Sequence, residues 1–301
     1  MRLTSFSFFL LLLAAAAIPA ANAGAQAAPA QDLKAMVREV SYNELQGGGK
    51  VKFSWRETKK TENGTETRLM VQTKDATLAM LVAINGKAPD AQRQQYENDR
   101  LQELLKNTDT LQKKKSKQQS DDENSDRIIR GLPDAFLYTY DGTQPGTVSS
   151  GKQGHTLIRL KFKPDPSYNP PSHTEQVLTG MQGTMLIDQQ EKRLALIDGT
   201  LFQQVGFGWG ILGHLDKGGH FYIQQADVGQ GHWEITHMIL DLTGKILLVK
   251  GLRIDEETTA TNFEPVPADL TLEQGIALLK KQQQEFTAGL SALPPTVARR
   301  Q

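Results

Sequence analysis

Cysteine is absent from the 301 residues. That excludes disulfide staples, thiol catalysis and a lipid-modified N-terminal cysteine. Excess charge is absent too: Lys and Arg number 34 and Asp and Glu number 34, so no basic field for nucleic acid is expected. Beyond the first residues no apolar run reaches membrane-spanning length. No Gly-framed nucleophilic Ser occurs, and Ser149-Ser150-Gly151 reads as loop. No glycine loop ending in Lys-Ser/Thr is present to cradle a phosphate. These absences argue against an enzyme, and they imply no cofactor.

The N-terminus carries a targeting pattern. Arg2 is a minimal positive region, Phe6 to Ala17 is an apolar stretch, and Ala21-Asn22-Ala23 is a small-x-small cleavage site. Residues 1–23 are therefore expected to be a cleaved signal peptide, with the mature chain starting at Gly24 in the periplasm or outside the cell. The leader takes only Arg2 with it, so the mature chain stays near neutral. No Pro/Ser-rich linker interrupts the strand pattern, and residues 24–301 are expected to form one domain.

Gln176 to Phe263 reads as an antiparallel meander. Met181–Asp188 and Lys192–Ile197 are followed, past a Gly-rich stretch, by Gly219–Asp227, His232–Leu242, Lys245–Ile254 and Thr258–Phe263. The breaks fall at Gln189-Gln190-Glu191, Asp198-Gly199, residues 227–231, Thr243-Gly244 and Asp255-Glu256-Glu257. Upstream, Asp32–Leu45 shows a helical stripe stopped by Gly47-Gly48-Gly49. Strands follow at Lys50–Lys60, Thr65–Lys74 and Leu78–Ile84. The first two are joined at Asn63-Gly64, a hairpin signal that explains the local glycosylation sequon better than glycosylation does.

Residues 89–139 look like an insertion. Pro89 to Lys117 carries a narrow helical stripe through Leu101, Leu104, Leu105 and Leu111. Lys113 to Asp126, a lysine block and then an acidic block, reads by composition as a mobile hinge. Arg127–Thr139 reads as a short amphipathic helix, and Gly154–Lys163 as the strand that restarts the sheet. Pro164–Pro171 is a proline-set loop. Leu272–Phe286 is a closing helix with a capping box at Thr271 and Gln274.

This order, with Gly183-Thr184-Met185-Leu186-Ile187-Asp188, Arg193-Leu194-Ala195-Leu196-Ile197-Asp198-Gly199 and Leu160-Lys161-Phe162-Lys163-Pro164, resembles the LolA/LolB-like lipoprotein-sorting superfamily. The resemblance implies a mainly β (α+β) fold: a large open antiparallel half-barrel of about nine to eleven strands, more than the usual sheet, with helices covering its concave face. It also implies an apolar cavity. No counterpart of the carriers' lid-gating arginine, or of the 113–126 charge blocks, is identified.

Four of six histidines lie close in sequence: His214, His220, His232 and His237. His232 and His237 are five apart, so on a strand they face opposite ways, and no metal site is expected. Asp188, Asp198, Asp227 and Asp241 sit at strand ends as turn formers. Gly206–Gly213 reads either as an aromatic rim at a cavity mouth or as a bulge in an edge strand.

The expected function is non-enzymatic binding of an apolar ligand: an acyl chain, a lipid or a lipidated protein. Phe53, Trp55, Met70, Phe221, Ile223, Trp233, Ile235 and Ile239 are candidate wall residues. Each reads equally as ordinary core. The competing expectation is a structural or interaction module of the cell envelope with a filled core, touching membrane or envelope proteins. Oligomeric state is not encoded legibly.

Overall fold

A computed structural model describes residues 30–47, 51–207, 213–229, 231–246 and 250–292. The signal-peptide reading and residues 208–212 of the Gly-rich stretch lie outside the described residues.

A helix, α1 (Ala30–Gly47), precedes three strands, β1 (Lys52–Thr61), β2 (Gly64–Gln72) and β3 (Thr77–Ile84). Two helices follow, α2 (Ala91–Lys106) and α3 (Thr108–Ala135). Then come β4 (Phe136–Pro145), β5 (Thr156–Pro164), a 3-10 turn (Glu175–Gly180), β6 (Met181–Asp188) and β7 (Arg193–Leu201). The chain continues through β8 (Val205–Phe207), β9 (Gly213–Leu215), β10 (His220–Asp227), β11 (Trp233–Ile246) and β12 (Lys250–Val266) to α4 (Leu272–Ala292).

All twelve strands join one sheet in the order β3-β2-β1-β12-β11-β10-β7-β6-β5-β4, with β9 paired to β11 and β8 to β9. Every ladder is antiparallel and the sheet is not closed into a barrel. The fold is thus mainly β, an open antiparallel sheet with helices, as the sequence leads one to expect. Twelve strands are present among the described residues, where about nine to eleven were anticipated.

Directly opposed antiparallel residues share a face. Leu69 opposes Arg56, Arg56 opposes Thr261, and two residues on Thr259 opposes His237, which opposes Gln224. Phe221, on the other face, opposes Leu240 and Gly199. Leu69 and Val71 pack under α2 and α4 with Leu101, Leu104, Ile276 and Leu279. Phe221 packs with Leu160, Ile187 and Ile197 under Leu33, Val37 and Val40 of α1 and Leu132 of α3. The helices therefore divide between the two faces instead of gathering over one. Two helix-covered cores result, and a third, smaller cluster gathers Leu157, Leu186, Ala195 and Trp233.

The glycines of the β6–β7 hairpin have a packing reason. Gly183 opposes Gly199, and a Cβ on Gly199 would stand 2.4 Å from the Phe221 ring. Helix α1 is tied to the same hairpin. Glu44 accepts from Arg193 Nε at 2.8 Å, from Arg193 Nη2 at 2.9 Å and from the Leu194 amide at 2.8 Å.

Several sequence readings are corrected. Asp198-Gly199 is not a break: both residues lie inside β7, and Asp198, like Asp241 inside β11, is a mid-strand residue and not a turn former. Lys113–Asp126 is not a hinge; it lies within the 28-residue α3. Lys, Gln and Glu are strong helix formers, and the segment is docked. Lys115 pairs with Asp75 at 2.8 Å, and the Gln118 carboxamide bonds both the amide and the hydroxyl of Thr77. Arg127–Thr139 does not continue as helix. Pro133 removes a helical donor in the last turn, and from Phe136 the chain alternates as β4, with Phe136 and Tyr138 buried and Leu137 exposed.

Thr243-Gly244 is not a turn. Gly244 lies within β11, where a Cβ would stand 2.1 Å from the His214 carbonyl oxygen of β9. Asp255-Glu256-Glu257 is not a turn either. These residues lie inside the 17-residue β12, held by cross-strand pairs of Glu256 with Lys59 and of Glu257 with Lys60 and His237.

Candidate functional site

The expected wall residues do not converge on one cavity. Phe53 is buried edge-on to Phe263 at 6.2 Å and to His232 at 5.8 Å. Trp55 stacks on Phe263 at 6.0 Å, and Met70 lies opposite Trp55 on β2. Phe221 and Ile223 belong to the α1-side core. Trp233 packs elsewhere, against Leu157, Leu186 and Ala195, with Arg193 over its ring at 5.8 Å. Ile235 is 46 % exposed. Ile239 opposes Tyr222, which puts it on the face away from Phe221. A bulge between Gln224 and Gln225 breaks the alternation that would have aligned Ile235 with Ile239.

Four of the six histidines are each engaged with a single carboxylate. His155 contacts Asp188 at 3.0 Å, His220 Asp198 at 2.9 Å, His237 Glu257 at 3.0 Å and His214 Asp216 at 3.2 Å. Asp188 is fully buried and also accepts from the Gln190 and Glu191 amides, which makes it a turn former with an added partner. Among the described residues no three such side chains group as a metal site.

Concave spaces differ in chemistry. One of about 790 Å³ lies between α3 and the β2–β3 turn, and charged side chains dominate it, among them Lys52, Lys115, Asp122, Asp126 and Glu234. Burial raises the carboxyls of Asp122 and Glu234 above their usual range; the neighbouring Asp126 and Asp121 add to the rise at Asp122, and Arg193 opposes it at Glu234. A second, about 580 Å³, lies under the β4–β5 loop; Val148, Ala226, Val228, Ala260 and Phe263 give it an apolar side, and Gln224, Thr236, His237, Thr259 and Thr261 a polar one. The first has only Ala76 as an apolar liner.

The third is a groove of about 440 Å³ between α4 and the sheet at β1 and β12. Its apolar side is Leu69 of β2 with Leu278 and Phe286 of α4, and Trp55 borders it. Its polar side is Arg56, Lys281, Gln282, Glu264 and Glu285. The β1–β12 ladder shifts register between Ser54 and Arg56, and Asn262 takes φ 59 there, so the sheet bends at the groove floor. The roof is set by the α4 N-terminus. Gln274 accepts from the Thr271 amide at 2.9 Å while Thr271 Oγ1 accepts from the Gln274 amide at 3.3 Å, the expected capping box.

Inside the groove the Arg56 guanidinium lies 5.0 Å from the centre of the Phe286 ring. Arg56 Nε is buried with no hydrogen-bond partner, and so is Gln282 Oε1. Gln282 donates its Nε2 to Ser54 Oγ at 3.2 Å. Seven such atoms occur among the described residues, and these two line the same groove; each is costly unless something meets it. Sequence reading missed this groove because α4 and β1 are more than 200 residues apart. Only the aromatic run around Trp55 pointed near it.

The architecture is that of an open antiparallel sheet with helices on both faces and an amphipathic groove under α4. No protein-family model matches the chain, and no curated protein matches it. A DUF1329 family protein from Desulfovibrio piger ATCC 29098, known from its crystal structure, is similar over 77 % of this chain and 92 % of its own, with 9 % identity and a TM-score of 0.26. A likeness of that size assigns neither family nor activity.

Proposed function

We propose that this is an exported, non-enzymatic protein of LolA-like type that holds an apolar ligand, an acyl chain, a lipid or the lipid of a lipidated protein, against its open sheet. The groove under α4 is the binding place. The observation that carries this reading is the pairing of an apolar wall, Leu69, Leu278 and Phe286, with two buried polar atoms that have no partner, in about 440 Å³. That volume lies within the range of small-molecule sites.

The test is saturable binding of a neutral apolar dye such as Nile red. One dye per chain is expected. Leu278→Glu, which puts a carboxylate on the apolar wall, should abolish binding while far-UV circular dichroism stays unchanged. Equal binding by that variant would refute the groove.

A second reading, a structural envelope module, has its own support. The α1-side core is filled by side chains such as Phe136, Leu160, Met185 and Ile187, all essentially inaccessible. Under that reading no saturable dye binding occurs at all.

A further inference from the structure

We propose that the groove under α4 selects a long-chain carboxylate, with Arg56 binding its head; this rests on the groove reading above and goes on to name the ligand class. The reasoning starts from charge pairing along β1. Lys59 and Lys60 each meet a glutamate across the ladder, Glu256 and Glu257. Arg56 does not: its ladder partners are Thr261 on β12 and Leu69 on β2, neither of which carries charge. The groove's other cation, Lys281, stands 3.9 Å from Glu285. Among the described residues Arg56 is thus the groove cation without a carboxylate partner, and its Nε is buried with no hydrogen-bond partner.

A guanidinium stacked on an aromatic face can still present the edge formed by its two terminal nitrogens, and that edge matches a carboxylate through two parallel hydrogen bonds. Phe286 supplies the face. Gln282, one helical turn before Phe286, adds a second unpartnered atom to the lining of the same groove. Turning its carboxamide over would let Ser54 Oγ donate to the oxygen and leave the amide nitrogen to donate to a ligand oxygen. Leu69, directly across the ladder from Arg56, and Leu278 of α4 form the apolar wall and would take the chain. Glu264 and Glu285 also line the groove, so a doubly charged head is disfavoured against a singly charged one. The chemistry that fits is one carboxylate on an unbranched apolar chain.

Binding of dodecanoate, 1-dodecanol and dodecyl phosphate to the full mature chain, by competition with Nile red, tests this. Dodecanoate should bind about tenfold or more tighter than dodecanol, the order expected when a charge-assisted hydrogen bond separates two ligands of one chain length. Arg56→Met should erase that preference and leave dodecanol affinity within about twofold, because the apolar wall is untouched. Should Arg56→Met fail to fold, Arg56→Lys decides: it lacks the planar fork, and most of the preference should go. Equal binding of dodecanoate and dodecanol, a preference that survives either variant, or tighter binding of dodecyl phosphate than dodecanoate overturns the head-group assignment and leaves the groove standing. Binding of none of the three overturns both.

Discussion

Glu44 and Arg193 show how single side chains hold α1 on the sheet. Their side chains are 7 % and 13 % exposed, and Glu44 also accepts from the Leu194 amide. Glu44→Ala leaves a buried guanidinium unpaired, which costs about 3–5 kcal/mol. The urea midpoint should fall accordingly, and a shift like that of a surface substitution would argue that α1 is not anchored there. Glu234 behaves differently. Burial raises its carboxyl above the usual 4.5, against the pull of Arg193. The folded form then binds the proton more tightly than the unfolded chain, so stability falls as pH rises from the unfolded value through the raised one. Glu234→Gln removes the titration. The variant should be more stable than the parent at pH 7, with the gap closing below pH 4. A gap that is the same at both pH values would contradict the assignment. Residue-scale signals were legible where they act locally, as the reciprocal Thr271 and Gln274 cap shows. Arg56 was not legible, because its lack of a partner depends on which residues the ladder sets across from it.

Helix α3 shows where composition misleads. Opposite charge blocks without apolar residues read as a solvated hinge, yet they form one helix. Lys117 meets Asp121 at 3.1 Å, Gln119 meets Glu123 at 3.0 Å and Arg130 meets Asp126 at 3.0 Å, each four residues apart. Exposed pairs of this kind contribute only about 0.3–0.5 kcal/mol each, so docking on the β2–β3 turn through Lys115 and Gln118 is what distinguishes α3 from a loose segment. Limited trypsin digestion should leave Lys113, Lys114 and Lys115 as protected as strand residues. Gln119→Pro, which costs about 3 kcal/mol in a helix interior, should open that stretch to cleavage. Rapid cutting there in the parent protein would restore the hinge. The strands were more readable: period-two alternation and Asn63-Gly64 located the first hairpin, while β11 and β12 were cut short because Gly and acidic residues were taken as turns. Gly244 makes room for β9 and Glu256 pairs with Lys59, both contacts between elements distant in sequence.

At the scale of the whole molecule, the open sheet separates two jobs. The α1-side face is packed solid between α1, α3 and β4 to β7, while the α4 side keeps a groove where the sheet bends. The mainly β class and the single run of antiparallel neighbours were legible from the strand pattern. The division of helices between the two faces was not, because it depends on register carried across ten neighbouring strands. If the groove is where the ligand lies, binding should be felt there and not in the packed core. The most direct test is a 15N-resolved NMR titration of the mature chain with dodecanoate. Saturating shifts confined to Trp55, Arg56 and the α4 residues from Leu278 to Gly289 are expected. Shifts centred instead on Phe136, Leu160 and Ile187, or no saturating shifts at all, would contradict ligand binding under α4.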